Sequence, residues 1–513
     1  MLKSKRCFLS VGLVLLSLFV IGWLGTAHAQ ADGQGEGELE YKTLAEADGK
    51  LMGVTTGTVL DLLTQKYLPH SPYSYFNNYT DCLAALKTGK VEGFLCDEPV
   101  AREISRKNPD VAYIKEAASS DMIGVGISNA KPELKAILDA GIARYEKDGT
   151  LKSIDELWYG NSEDKKVLPV SKTGSKGKVI CGLNAECPPM DYISHGDIVG
   201  YEPDLVVRIM QDAGYEVELK NMDFNALVPS VVSGKVDIII GAISITEERK
   251  KSILFSEPIY HSGIVLVVRQ TNVDNGKADF WGGIKESFYR NFIMEDRYQM
   301  IFQGLKVTII ITIFAAIFGT ILGFFVCMLW RSPYKIVSIS ARIFVKVMQG
   351  TPLVVFLMIM YYIVFGKSLI DPVYVAIAAF AINMAAYVSQ MMRSGIDAVD
   401  KGQQEAAYAM GFTKVQTFVK IVAPQALKYI LPVYTGEFIS LLKSTAIVGY
   451  IAIQDLTKMS DIIRSRTYEA FFPLIVTALI YLAVSWGLAL MLTYLEYRID
   501  PKKRPRTLKG VKL

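Results

Sequence analysis

The chain has 513 residues, enough for two or three domains. Its 51% hydrophobic and 21% charged content is too greasy for one soluble body, and the formal charge of +4 is too small to mark a nucleic-acid binder. The grease is uneven: residues 31–299 have an ordinary globular composition, whereas apolar runs dominate from about 300 to 496. One exported or soluble part and one membrane part are therefore expected.

The elements follow in chain order. Lys3, Lys5 and Arg6 precede the apolar run Cys7 to Leu24, and Ala27-His28-Ala29 fits a cleavage site, so residues 1–29 read as an export signal. An uncleaved helical anchor is the alternative. Both place the chain from about residue 30 outside the cytoplasm. Cys82, Cys96, Cys181 and Cys187 fit no metal spacing and read as buried free thiols, though disulfides are permitted in that compartment.

Two stretches, 42–160 and 177–270, make up this part, and 178–269 alternates strand and helix patterns. "KVICGL" and "YEVELKNM" are strands, "YEPDLVVRIMQDAG" has apolar residues at helical spacing, and "VDIIIGAI" is a buried strand. Between the two stretches, 161–176 is a polar linker. Residues 271–299 join this part to the apolar half. There Phe280, Trp281, Ile284, Phe288 and Phe292 form an apolar face, either of a linker helix or of a helix lying in a membrane interface.

Five apolar segments are then candidate spans: Ile301 to Leu329, Thr351 to Phe365, Val373 to Met392, Tyr429 to Ile453 and Phe471 to Leu495. The second is short and is expected to begin within 343–349. With the first segments outside, Arg331, Lys335, Arg342 and Lys346, then 393–428, then the basic tail 497–513 all fall inside, as the positive-inside rule requires. Within 393–428, "EAAYAMGFTKVQTFVKIVAP" (405–424) reads as two short helices parted near Gly411, which permits a tight turn.

That motif resembles the cytoplasmic coupling loop of ABC importer permeases: Glu405, Ala406, Ala407, then Gly411, then Pro424. With "QGTPLVVFLMIMYY" and "PQALKYILPVYTGEFISLLKSTAIVGYI", residues 300–496 look like a permease of the polar amino acid uptake family. The resemblance implies five transmembrane helices, a permease homodimer, and an ATPase subunit docking on 405–424. No G-x-x-x-x-G-K-[ST] occurs, so ATP and Mg are expected on that separate subunit, with no cofactor in this chain.

"DFNALVPSVVSGKVDIIIGAISITEERKKSILFSEPIY" resembles lobe 1 of periplasmic-type amino acid binding proteins, while 42–160 resembles their lobe 2 followed by C-terminal helices. The expected fold is thus an all-α permease preceded by a two-lobed α/β domain of the type II periplasmic-binding-protein class, with lobe order circularly permuted. Tandem domains each reduced to one lobe are the alternative. The resemblance implies Arg249 on a ligand carboxylate, Asp97 on its ammonium, Ser244 beside Arg249, Phe224 stacked on the ligand, and Gly57 and Thr58 in the lobe 2 loop. Asn184 and Cys187 stand where the family often has an aspartate and an aromatic, so they leave side-chain preference open. Glu186, beside them, is read as solvated in preference to a side-chain reader.

The function implied is the receptor-permease subunit of an ATP-driven importer of a polar amino acid, multi-pass in the cytoplasmic membrane, with the binding domain outside and the C-terminus inside. It implies a transporter subunit that is not itself an enzyme. An amino-acid-gated channel would need a pore loop in place of the 405–424 motif. A sensor would need an output domain, for which only 497–513 remain.

Overall fold

The computed structural model describes residues 38–160, 174–271, 280–366, 368, 370–469 and 471–499. The expected signal at 1–29, most of the linker 161–176 and the tail beyond 499 lie outside the described residues. The described chain divides into two units. One takes the residues up to Phe302 together with Thr457–Thr477; the other takes Gln303–Leu456 and the residues from Ala478 on.

The first unit is α/β, with two main sheets and a three-stranded antiparallel one of Glu186–Cys187, Asp191–Ser194 and Asp197–Val199. The larger has the order Glu38–Leu39, Tyr260–Thr271, Gly93–Asp97, Met52–Thr55, Tyr73–Phe76, and Val111–Tyr113 and Ser119–Ile123 also pair with the long strand Tyr260–Thr271. The smaller sheet has the order Glu216–Asn221, Lys178–Leu183, Ile238–Ile239, Gly126–Ile127, Leu254–Phe255. Its first three strands are parallel, and Gly126–Ile127 runs antiparallel to both of its neighbours. Ile238, Ile239 and Ile240 are fully buried, which explains their unbroken apolar run.

Each sheet borrows a strand from the other half of the sequence, which corrects the expected lobe boundaries. Gly126–Ile127, from the first half, sits inside the smaller sheet, and Tyr260–Thr271, from the second, is central to the larger. The helices Glu133–Asp148 and Thr150–Tyr159 also join the smaller-sheet lobe. Trp158 Nε1 donates to Asp204 at 3.0 Å, and Tyr145 donates to Asp212 at 2.7 Å. A Cβ on Gly141 would stand 2.4 Å from Ile209, so glycine lets these helices close together. The chain thus crosses between lobes twice, after Ile123 and after Phe255, and both lobes close within one chain. All four expected thiols are free and buried.

The second unit is helical. Three helices are long and apolar enough to cross a membrane: Tyr298–Trp330, Pro372–Asp397 and Phe472–Arg498. Two further helix pairs reach that standard only together, giving up to five spans. In one, Lys335–Gly350 and Leu353–Val364 meet at 106°, so the second expected span does not run straight back into 343–349. Small residues make the contact: a Cβ on Gly319 would stand 2.9 Å from Met384, and one on Gly323 2.8 Å from Val388.

The candidate ligand cleft and the cytoplasmic-type loop

The first unit holds a cleft of about 630 Å³, partly open to solvent, lined from both lobes. Six of the expected residues line it: Thr58 and Asp97 from the larger-sheet lobe, Asn184, Cys187, Phe224 and Ser244 from the other. Gly57 and Arg249 line a smaller adjoining cavity that shares Phe224.

Asp97 ends the buried strand Gly93–Asp97 and is only 6% exposed. Tyr79 donates to its Oδ2 at 2.9 Å. Burial pushes its carboxyl up to about 6, with hydrogen bonds from Ser262 and Tyr79 opposing and Asp121 reinforcing. An ammonium arriving here would therefore meet a desolvated acceptor with few competing cations.

Arg249 lies in the short helix Glu247–Lys250, capped by the Thr246 hydroxyl. Its Nη1 donates to the Ser244 carbonyl and its Nη2 to the Gly57 carbonyl, each at 2.9 Å. The second bond joins the two lobes. Burial draws the guanidinium below its ordinary pKa, with Asp121 and Glu248 opposing. A planar guanidinium fork can pair with a carboxylate, and here its two Nη atoms are engaged by carbonyls. Gly57 has φ +79°, and a Cβ there would stand 2.1 Å from Asn225 Oδ1, so this crossing tolerates no side chain.

The loop carrying Ser244 is set by a buried carboxylate. Glu202 Oε2 accepts from the Gly241 and Ala242 amides at 2.6 and 2.9 Å. Asp191 lies beside it, and burial, reinforced by Glu202, pushes the Asp191 carboxyl well above the usual range.

Sequence reasoning missed Asp121, which lines the cleft and accepts from Ser244 Oγ at 2.6 Å. It also misjudged Glu186. That carboxylate is not solvated: it is buried, lines the cleft, and pairs with Lys458. Lys458 Nζ also lies 3.6 Å from Asp223. Lys458 belongs to the helix Leu456–Thr467, far along the chain, so no local signal announced the pairing.

That segment binds both lobes. Toward the larger-sheet lobe, Arg464 Nη2 donates to Asp81 at 2.6 Å, and Lys107 Nζ donates to the Arg466 carbonyl at 2.7 Å. Toward the other, beside the Lys458 pair, Tyr468 donates to the Pro188 carbonyl at 3.3 Å and Arg466 lies 4.5 Å above the Tyr192 ring.

In the second unit, Glu405, Ala406 and Ala407 fall in the helix Lys401–Ala409, with Ala407 buried and Glu405 and Ala406 exposed. Gly411 has φ +84° with open space around it, so it is required for its backbone angle and not for room. Thr413 then starts the next helix with a reciprocal capping box to Gln416. Pro424 lies where a π-helical turn, Phe418–Val422, passes into the α-helix Ala423–Ser444, within one helical run from Lys414. Tyr408, Met410, Val415 and Val419 are exposed along this stretch.

Residues 179–417 match the bacterial extracellular solute-binding proteins, family 3. Beyond Thr271 the described residues of that range are helical, so the α/β part of the match is 179–271. The arginine transport system permease protein ArtQ of Bacillus subtilis (strain 168) is 37% identical over 207 residues, 39% of this chain and 91% of that protein. The putative glutamine transport system permease protein GlnP of Rickettsia bellii (strain RML369-C) is 34% identical over 206 residues, 39% of this chain and 92% of that protein. A solved amino acid ABC transporter with histidines is 36% identical, covers 43% of this chain and 98% of its own, and has a TM-score of 0.37.

Proposed function

The chain belongs to the amino acid ABC transport permeases and joins to that permease a periplasmic-type binding domain, and from this premise we propose that it is the receptor-permease subunit of an ATP-driven importer of a polar amino acid. The observation that carries the reading is the paired grip. Asp97 in one lobe and Arg249 in the other border adjoining cavities, the right chemistry for the two charged ends of an α-amino acid. On this reading the sequence is circularly permuted, since each lobe is completed by a strand from the other half. Five spans, a permease homodimer and a separate ATPase on the 405–424 loop complete the proposal, and ATP and Mg belong to that ATPase.

The mechanism follows from the contacts. Ligand draws the lobes together about their two crossings. Residues 457–468 touch both lobes, so they register whether the lobes are closed and pass that state to the helices on either side of them in the chain. The ATPase, acting at Glu405 and the Gly411 turn, then drives the permease through its cycle. The test is reconstitution of the full chain with its ATPase in proteoliposomes and a screen of the common amino acids. Uptake of at least one, dependent on ATP, is expected. Absence of binding heat for every amino acid at millimolar concentration would overturn the reading.

A further inference from the structure

A second cavity, of about 1230 Å³, lies in the first unit, apart from the ligand cleft and sharing no lining residue with it. Its lining brings together Arg106, Lys107, Arg290, Arg297 and Arg466. Facing these five cations are two lining carboxylates, Glu286 and Glu295. Glu295 is divided between two guanidinium groups: Arg297 at 3.0 Å and Arg466 at 2.9 Å. Glu103, just outside, serves both Arg106 and Lys107. Glu286 pairs with Arg290 at 2.6 Å, so three carboxylates serve five cations and two of the three are shared.

Two further observations show that the cluster is partly buried. Arg297 is 4% exposed, and its Nε, like that of Arg466, is buried without a hydrogen-bond partner. Burial pulls the Lys107 ammonium down to about 8, opposed by Glu103 and reinforced by Arg466. Buried N–H donors of this kind cost stability unless an acceptor arrives.

The position of the cavity in the chain selects the acceptor. Arg297 immediately precedes the apolar helix Tyr298–Trp330, and Thr467 lies just before the apolar helix Phe472–Arg498. Both helices are long enough to span a membrane, so the cavity is built where two spans begin. On the segment 281–298, which supplies Glu286, Arg290, Met294, Glu295 and Arg297 to the lining, Trp281 is 73% exposed, and Phe288, Tyr289, Met294 and Tyr298 are exposed as well. Aromatic residues beside arginine and lysine at the end of a span are the composition of the headgroup layer.

We propose that this basic cavity is a binding site for the phosphate of an anionic phospholipid headgroup, which bridges Arg106, Arg290 and Arg466 at the membrane surface. The bound phosphate accepts from guanidinium donors that line the cavity, while Trp281 and its aromatic neighbours lie against the acyl boundary. The site is independent of which amino acid the cleft takes.

The test uses the delipidated full chain in a neutral detergent and native mass spectrometry, with phosphatidylglycerol and phosphatidylcholine of matched acyl chains added in turn. Phosphatidylglycerol is expected to bind at least tenfold tighter. With each basic side chain worth about fivefold toward an anionic lipid, the Arg106→Gln, Arg290→Gln double variant should lose roughly twenty-fivefold for phosphatidylglycerol and little for phosphatidylcholine. Its thermal midpoint should stay near the parent's. Where the double variant unfolds, Arg106→Gln alone carries the test with about a fivefold loss, since that side chain is 70% exposed. Equal binding of the two lipids, or an undiminished preference in the variant, overturns the proposal. Inorganic phosphate at about 10 mM should leave the lipid bound; displacement would reassign the site to a soluble phosphate and sink the lipid source.

Discussion

The two units hide opposite things. In the α/β unit the buried exceptions are charges: Asp97, Asp191, Glu186, Glu202 and Lys458 are all enclosed. In the helical unit most enclosed residues are small or apolar, such as Ala315, Ala316, Ala376 and Ala379, with Asp455 a buried charged exception, while large side chains such as Ile317, Phe318, Phe325 and Trp486 face outward. The difference follows from the solvent each surface meets. Water rewards a polar exterior and makes a buried charge costly, so a buried charge there marks a task. Lipid offers no such reward, so apolar exposure is ordinary, and the informative residues are those that neither lipid nor packing explains, such as Gly411 with its left-handed backbone and empty surroundings.

The comparison is broken most severely at the grip. Arg249→Ala removes a half-buried guanidinium that joins the lobes through the Gly57 carbonyl and can pair with a carboxylate. Losing one side of such a pair costs about 3–5 kcal/mol, so ligand affinity should fall at least a hundredfold. Calorimetry on the full chain reads this directly, and an affinity within threefold of the parent would remove Arg249 from the site.

The mirror-image change is in the helical unit. Gly411→Val forces a β-branched residue to φ +84°, where only glycine is comfortable, and nothing else at that position is disturbed. Ligand binding should stay at the parent value, while ATP-dependent uptake falls below about a tenth of it. Transport at the parent rate would detach the loop from the ATPase. Together these two variants separate capture from drive.

What the sequence made legible, and what it hid, also divides along these lines. Local patterns carried far. The parallel strands Lys178–Leu183 and Glu216–Asn221 and the helix Tyr201–Asp212 stand where alternation and helical spacing put them, and Gly411 parts two short helices as its motif implied. The two-residue strand Gly126–Ile127 has no period to read, so its transfer to the other lobe's sheet was invisible, and with it the true allegiance of the helices that follow. Glu186 was taken as solvated for the same kind of reason. A lone carboxylate in a loop looks exposed until its partner is known, and Lys458 lies 272 residues away. Asp121 was hidden in a strand whose exposed and half-buried residues give no functional cue.

The Lys458 pair sharpens the comparison, because it carries the membrane part of the sequence into the receptor. Lys458→Ala leaves Glu186 buried without its cation, which costs about 3–5 kcal/mol and should lower the thermal midpoint by roughly 6–15 °C. Removing both charges together, with Glu186→Gln and Lys458→Met, should return most of that loss. Calorimetric or fluorescence melting of the four proteins measures the coupling. Additive losses in the double variant would show that the pair is incidental to closure.

The smallest effect expected is a pH dependence seated at Asp97. In the empty cleft, burial sets its carboxyl at about 6, against the hydrogen bonds from Ser262 and Tyr79 and with Asp121 adding to the rise. A ligand ammonium needs the carboxylate form. Above pH 6 that form is already present, and affinity should be flat. Below pH 6 the proton must leave before the ammonium can pair, so binding releases a proton and the dissociation constant rises about tenfold for each further unit. The free energy involved at pH 5 is about 1.4 kcal/mol, well under the loss from Arg249→Ala. Asp97→Asn should weaken binding at neutral pH and abolish the slope between pH 5 and 6, because no proton is then exchanged there. Affinities measured by calorimetry in two buffers of different ionisation heat would count the proton directly. A wild-type affinity that is constant from pH 7 to pH 5 would mean that the ammonium is held elsewhere, and Asp121, which lines the same cleft and is raised mainly by burial, would be the first residue to test in its place.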